Sequence, residues 1–388
     1  MKYVILIGDG MSDRPLKALG GKTPLEVAKT PNLDYLARNG IAGTVRTVPK
    51  GMQPGSDVAN LSLFGYDPRK YYSGRGPLEA LNMGIKLSKD DVVFRCNTVT
   101  VKKGKMADYS AGHIKTSDAK QLIKFLDKEI GGKRFKFYPG VSYRHLMVVK
   151  GIGDNVKCTP PHDISGRPIK GYLPKGPRSE IIKQLMFESK ELLEDLKSNK
   201  TKCNMIWLWG QGRKPKVPSF KKKYRKTGSV ISAVNLVNGI GIAIGLKPIK
   251  VPGATGYLDT NYIGKAKYAL NSLRKKDFVF VHVEAPDEAG HEGNIKHKVK
   301  AIEDFDRYVV GTVLKGIRKF KDFKILVLPD HPTPISIMTH SAEPVPFAMY
   351  SSKKRVKGIK AYTERYASRS AIKFSSGPAL IDFFFKKE

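Results

Sequence analysis

Three short apolar runs in this sequence each stop at a cluster of acids and histidines, and this constrains the fold more than any other feature. Tyr3–Ile7 is closed by Gly8-Asp9-Gly10, Asp277–Val283 (DFVFVHV) runs into Glu284–His291, and Phe323–Leu328 (FKILVL) runs into Asp330-His331. Unbroken β-branched and apolar runs of this length read as strands covered on both faces, the pattern of a buried parallel sheet. In open α/β sheets, ligands bind beyond the carboxyl ends of the strands, so three such ends rich in Asp and His mark a site. Between them the chain alternates strand and helix. Pro31–Asn39 begins with a proline suited to a first helical turn, and Ile41–Val48 returns as a strand. The expected fold is α/β, a mostly parallel sheet flanked by helices.

The middle of the chain has a different texture. From Lys86 to Gly228, short strands such as Val92–Val101 and Leu146–Val149 alternate with loops dense in Gly and Pro. We expect an inserted α+β domain over residues 86–228, with residues 1–85 and 229–388 forming the main domain. Lys214–Lys226 (KPKVPSFKKKYRK) reads as the exit linker, and Val230–Ile244 as a Gly-rich apolar helix. The length of 388 residues suits two domains at about 150 residues each.

Several function classes are disfavoured. No apolar run reaches the ~18 residues of a membrane helix, and the first residues lack the apolar region of a secretory signal. Cys96, Cys158 and Cys203 are scattered and odd in number, which suggests neither a disulfide framework nor a cysteine zinc site. A reducing cytoplasm is the expected compartment. Lys and Arg number 70 against 35 Asp and Glu, a net charge of +35. That excess could mark nucleic-acid binding, an acidic surface or anionic substrates. The lysines are spread over the whole length without interleaved aromatics, so a solvated basic surface is expected and no specific nucleic-acid partner. Gly8-Asp9-Gly10 is no dinucleotide fingerprint, because Asp13 stands where the third glycine belongs. Gly21-Lys22-Thr23 is no phosphate loop, because Leu16 occupies the place of its first glycine.

The candidate chemistry is metal-assisted. Asp287 and His291 are four residues apart, which brings both side chains to one side of a helical turn. Asp330-His331 adds an adjacent pair, His340 a further imidazole, and Asp9 a carboxylate at the end of the first strand. With Ser56, these offer enough N and O ligands for two divalent ions. Ser56 follows Gly55 at the start of an expected helix over Asp57–Leu63, where free N–H groups favour an anion, although a plain N-cap serine looks the same.

The ordered set PGSDVANLSLFGYDP, SGRGPLEA, DYSAGHI, PHDISG, WLWGQGR, GYLDTNY, APDEAGHEG, PDHPTP and THSAEPVPF, together with the first GDG, resembles the archaeal-type cofactor-independent phosphoglycerate mutases of the alkaline phosphatase superfamily. The resemblance covers essentially the whole chain. It implies an alkaline-phosphatase-like domain interrupted by a smaller substrate domain, and isomerisation of 3-phosphoglycerate to 2-phosphoglycerate through a phosphoserine, without 2,3-bisphosphoglycerate. It further implies one metal site from Asp287, His291 and His340, and a second from Asp9, Asp330, His331 and the Ser56 oxygen, with Ser56 as nucleophile. His113, Arg144, Asp163 and Arg213 match its substrate-holding positions. The acid/base for the glycerate hydroxyls stays open among Asp163, His145 and other groups. The metal is expected to be Mn or Mg, with Co or Zn compatible with the same donors. The partner is a small phosphoglycerate, no membrane is involved, and homo-oligomerisation is left open. A phosphatase or another phosphomutase of the superfamily would share the ligands.

Overall fold

A computed structural model describes residues 1–153 and 155–386. Its strands are β1 (Lys2–Gly8), β2 (Ile41–Val45), β3 (Asp91–Lys102), β4 (Lys105–Asp108), β5 (Phe135–Val141), β6 (Arg144–Lys150) and β7 (Met205–Arg213). They continue with β8 (Gly228–Ile231), β9 (Lys247–Pro248), β10 (Phe278–Val283), β11 (Phe323–Leu328), β12 (Val345–Ser351) and β13 (Lys373–Phe374). The chain divides into two compact units, Met1–Tyr72 with Val217–Glu388, and Ser73–Lys216.

The first unit is built on an eight-stranded sheet in the order β13-β2-β12-β11-β1-β10-β8-β9. The central strands run parallel, β1 pairing with β10 on one side and β11 on the other. Only β12 is antiparallel to its two neighbours. The apolar runs are continuous because both faces are covered. On one face Val4, Leu6, Val279, Val281, Ile325 and Val327 share a core with the Pro31–Arg38 and Tyr262–Leu273 helices. On the other, Phe280 stacks on Phe64 at 4.0 Å between ring centroids, and Tyr3 meets Phe384 at 5.5 Å.

The second unit carries an antiparallel sheet in which the long β3 is flanked by β6 and β7, with β4 pairing directly with the end of β3 and β5 lying beyond β6. Its core joins β3, β6 and β7 to the Thr116–Glu129 and Ser179–Asp195 helices.

The structure differs from the sequence reading in several places. Residues 230–244 are not one helix. Val230 and Ile231 finish β8, parallel to β10, and the helix starts only at Asn235. Ser232 makes the break, its Oγ accepting from the Val234 N–H at 2.9 Å. The Lys214–Lys226 stretch is not an exposed linker throughout. Its Phe220–Tyr224 segment is helical, capped by Ser219, and Phe220 is buried and stacked on Phe278. The Arg75–Asn82 helix falls in the second unit, so the chain crosses between units at 72/73 and 216/217 rather than at 85/86 and 228/229. Among the described residues no helix is long and apolar enough to cross a membrane.

Candidate active site

In the first unit, the ends of β1, β10 and β11 are adjacent because those strands are neighbours in the sheet. Asp9 leaves β1 with its N–H donating to the Val283 carbonyl at the end of β10, at 2.9 Å. Gly10 turns the chain at φ +59° and donates its N–H to Asp330 Oδ1 at 3.2 Å. A Cβ at Gly10 would lie 2.5 Å from both Asp287 Oδ1 and Thr333 Oγ1, so only glycine permits this approach. After β10, Pro286 opens the Ala285–His291 helix, which sets Asp287 Oδ2 and His291 Nε2 3.2 Å apart. After β11 come Asp330 and His331, both fully buried. His340 returns from the following loop, its Nε2 3.5 Å from Asp287 Oδ1 and 3.0 Å from His291 Nε2.

Ser56 closes the cluster. Its Oγ is 3.2 Å from His331 Nε2, which in turn is 3.5 Å from Asp9 Oδ1. Ser56 is the first residue of the Ser56–Leu63 helix and Gly55 is its N-cap, so the hydroxyl does not cap that helix. The structure thus brings together all seven residues expected at this site: Asp9, Ser56, Asp287, His291, Asp330, His331 and His340.

Donor atoms of three groups each converge within 4.8 Å: Asp287 with His291 and His340, Asp9 with His282 and Asp330, and Asp9 with Asp287 and His331. Asp9 Oδ1 is buried and has no hydrogen-bond partner, which is the condition a cation would relieve. Burial, then the charges of Asp330 and Asp287, push the Asp9 carboxyl well above its ordinary value. Asp287 is also buried, but bonds to His291 and His340 outweigh desolvation and hold it well below the usual carboxylate range. Desolvation pulls His291 down while its Asp287 partner pushes it up more strongly, to about 9. His331 is lowered by burial. A nitrogen and oxygen donor set crowded with buried carboxylates fits divalent ions of the Mn, Mg, Co or Zn kind.

In the second unit, Arg144, Arg95 and two histidines lie along a belt of aromatic rings. Tyr143 contacts the His113 ring at 6.1 Å, the Tyr109 ring at 5.8 Å and the Arg144 guanidinium at 5.2 Å. His162, beside Asp163, meets Tyr109 and Trp209, and the Arg95 guanidinium lies 4.3 Å over Trp209. His113, Arg144 and Asp163 therefore belong to one belt. Arg213 pairs with Val92 and Arg144 with Asn97 on β3, the same strand that carries Arg95. His145 is buried, its Nδ1 accepts from the Gly140 N–H at 2.9 Å, and burial lowers it to about 3.

A family model described as 2,3-bisphosphoglycerate-independent phosphoglycerate mutase matches residues 37–199. The 2,3-bisphosphoglycerate-independent phosphoglycerate mutase of Methanosarcina barkeri is 51% identical, with 100% of each chain covered. This chain belongs to that mutase family. Among solved structures, a protein from Pyrococcus horikoshii matches with a TM-score of 0.83 at 31% identity, covering 100% of this chain and 98% of its own. The cofactor-independent phosphoglycerate mutase of Thermoplasma acidophilum matches with a TM-score of 0.67 at 28% identity, covering 99% of each chain.

Three residues of this mutase-family chain escaped the sequence reading. His282 lies inside β10 with Nε2 3.0 Å from Asp9 Oδ2, and nothing in DFVFVHV separates it from the core. Asn60 donates to Asp330 Oδ2 at 2.7 Å and to the Ser56 carbonyl at 2.9 Å, one helical turn after Ser56. Its i+4 spacing from Ser56 was the available signal. Arg95 sits in the middle of β3, paired with Glu79 at 3.1 Å, and no spacing or motif in the sequence marks it.

Proposed function

We propose that the chain interconverts 3-phosphoglycerate and 2-phosphoglycerate by way of a phosphoserine at Ser56, with two divalent ions and without 2,3-bisphosphoglycerate. The observation that carries the reading is Ser56 Oγ, at a helix start, within reach of His331 in a nest of buried carboxylates and imidazoles. Asp287, His291 and His340 would hold one ion, and Asp9, Asp330, His331 and the Ser56 oxygen the other. Bound there, the ions supply positive charge for the phosphoryl oxygens and lower the pKa of the serine hydroxyl.

The remaining work falls to the chain. The Ser56 oxygen attacks phosphorus and the bond from phosphorus to the 3-oxygen of the glycerate breaks, leaving glycerate and a phosphoserine. The 2-oxygen then attacks the same phosphorus, and Ser56 is released as a hydroxyl. Asn60 fixes Asp330 and the first turn of the Ser56 helix by its two bonds. The guanidinium groups of Arg144 and Arg95, with His113 and Asp163 in the same belt, suit the carboxylate and phosphate of a glycerate phosphate. We retain Arg213 as a substrate contact on the resemblance alone.

The test is conversion of 3-phosphoglycerate by chelator-treated protein with and without Mn²⁺, in the absence of 2,3-bisphosphoglycerate, followed by phosphorus NMR. The 2-phosphoglycerate signal should grow only with metal. Release of inorganic phosphate without isomer would make the protein a phosphatase, and no reaction with any of the four metals would overturn the reading.

A further inference from the structure

Lys298 is fully buried, a rare place for a lysine unless its charge is paired. It lies in the Ile295–Asp304 helix, which follows the Ala285–His291 helix after a short turn capped by Asn294. Its ammonium has three hydrogens and three acceptors in reach: Asp13 Oδ2 at 2.7 Å, the Thr333 carbonyl at 2.7 Å and the Ser12 carbonyl at 3.3 Å.

Those acceptors belong to different loops. Ser12 and Asp13 follow Asp9 on the loop after β1, and Thr333 follows Asp330 and His331 on the loop after β11. Lys298 itself is on the helix just beyond Asp287 and His291. Asp13 adds a second tie to the loop after β11, accepting from the Ile335 N–H at 3.2 Å. The Thr333 hydroxyl donates to the Asp287 carboxylate, so one residue passes the anchor directly to a candidate metal ligand.

We infer that Lys298, with Asp13 and Thr333, is the positioning residue that sets the spacing of the three segments bearing the metal ligands, and so the affinity of the two-ion centre. The inference rests on the metal-dependent reading of the site given above. The groups Lys298 bonds, Asp13 and the Ser12 and Thr333 carbonyls, are not candidate ligands; it acts through Thr333 and the two loop backbones. Because Lys298 and Asp13 cancel in charge, the pair contributes geometry with little net field. That property allows position to be separated from electrostatics.

The experiment is Mn²⁺ titration of the full chain followed by electron paramagnetic resonance of free Mn²⁺, with circular dichroism and melting measured in chelator. Three forms are compared: the unmodified protein, Asp13→Asn, and the double variant Asp13→Asn with Lys298→Met. The double variant removes one charge of each sign and keeps side-chain volume close to the original. The expected result is folded protein whose Mn²⁺ affinity falls by about tenfold or more, the range seen when groups that orient metal ligands are lost. Asp13→Asn should also fall, through the lost tie and through the Lys298 charge it leaves uncancelled; the double variant isolates the first of these.

A folded double variant that binds two Mn²⁺ with unchanged affinity overturns the inference and leaves the pair a stabilising contact only. If the double variant does not fold, Asp13→Asn decides alone, unchanged affinity again overturning it. If the unmodified protein binds neither Mn²⁺ nor, by equilibrium dialysis, Mg²⁺, Co²⁺ or Zn²⁺, the metal-dependent reading fails and takes this inference with it, an outcome distinct from the others.

Discussion

At the scale of single residues, Ser56 is where position and chemistry can be told apart. A serine that caps a helix contributes about 1 kcal/mol through its side chain, but Gly55 is the cap here and Ser56 the first helical residue. The hydroxyl therefore faces His331 and is free of a capping duty. Ser56→Ala should cost no more than about 1 kcal/mol of stability, the worth of one hydrogen bond, while abolishing both isomerisation and the acid-stable phosphoserine. Mass spectrometry of acid-quenched protein after incubation with 3-phosphoglycerate reads the second quantity. A phosphorylated Ser56→Ala protein would place the nucleophile elsewhere. The candidate ligands Asp9, Asp287, His291, Asp330 and His331 were legible at this scale because Asp and His recur directly after apolar runs, where a bare surface loop has no need of them. His282 was not legible. It occupies the inside of such a run, and an apolar strand read from sequence does not distinguish a core position from one turned toward a neighbouring carboxylate.

At the scale of elements, the sequence marks the long buried strands well and the short ones poorly. β10 and β11 are bounded by turns and polar clusters, so their extents follow from pattern. β8 is only four residues long and runs with a three-residue break into the apolar Asn235–Ala243 helix. The combined run Val230–Ile244 has the length of a helix, and periodicity cannot locate a break inside an apolar stretch. What fixes it is tertiary: Val230 and Ile231 complete the sheet beside β10, and the helix folds back across them. Gly241 makes that return possible, since a Cβ there would lie 2.6 Å from Val230 Cγ1. Gly241→Val should therefore push the helix away from β8 and destabilise the protein by about 1–3 kcal/mol, as overpacking does. Urea denaturation checks it. Stability equal to the unmodified protein would mean that helix and strand are not held at this distance. The Phe220–Tyr224 helix was missed for a related reason: its composition is that of a solvated linker, and its one anchor, Phe220, finds Phe278 only through the fold.

At the scale of the whole molecule, the family was legible because its motifs run in order along the chain, whereas the unit boundary was not, because the Arg75–Asn82 helix carries no compositional mark of the unit it joins. The net charge of +35 is a property of this scale too, and its counterpart is a concentrated negative centre. Asp9, Asp287 and Asp330 lie buried together, so the site's affinity for cations depends on which protons it must release. In the metal-free chain His291 is raised to about 9, so at pH 7 it carries a proton that a metal must displace. The sign follows from linkage. A histidine with a raised folded pKa stabilises the fold fully below its ordinary value near 6.5, and that contribution is lost as pH rises through about 9. Asp9, raised above its ordinary value, acts in the same direction as pH rises from the carboxylate range. Asp287, held low, is ionised throughout that window and adds no slope. The metal increment must run the other way. For one proton displaced, Mn²⁺ affinity gains about tenfold per pH unit, and at fixed excess metal the stabilisation gains about 1.4 kcal/mol per unit. Melting curves with excess Mn²⁺ and with chelator, taken from pH 6 to 8, should therefore separate progressively as pH rises. A separation that stays constant over that range would mean that His291 is already neutral in the metal-free chain, and that the Asp287 contact does not hold its proton.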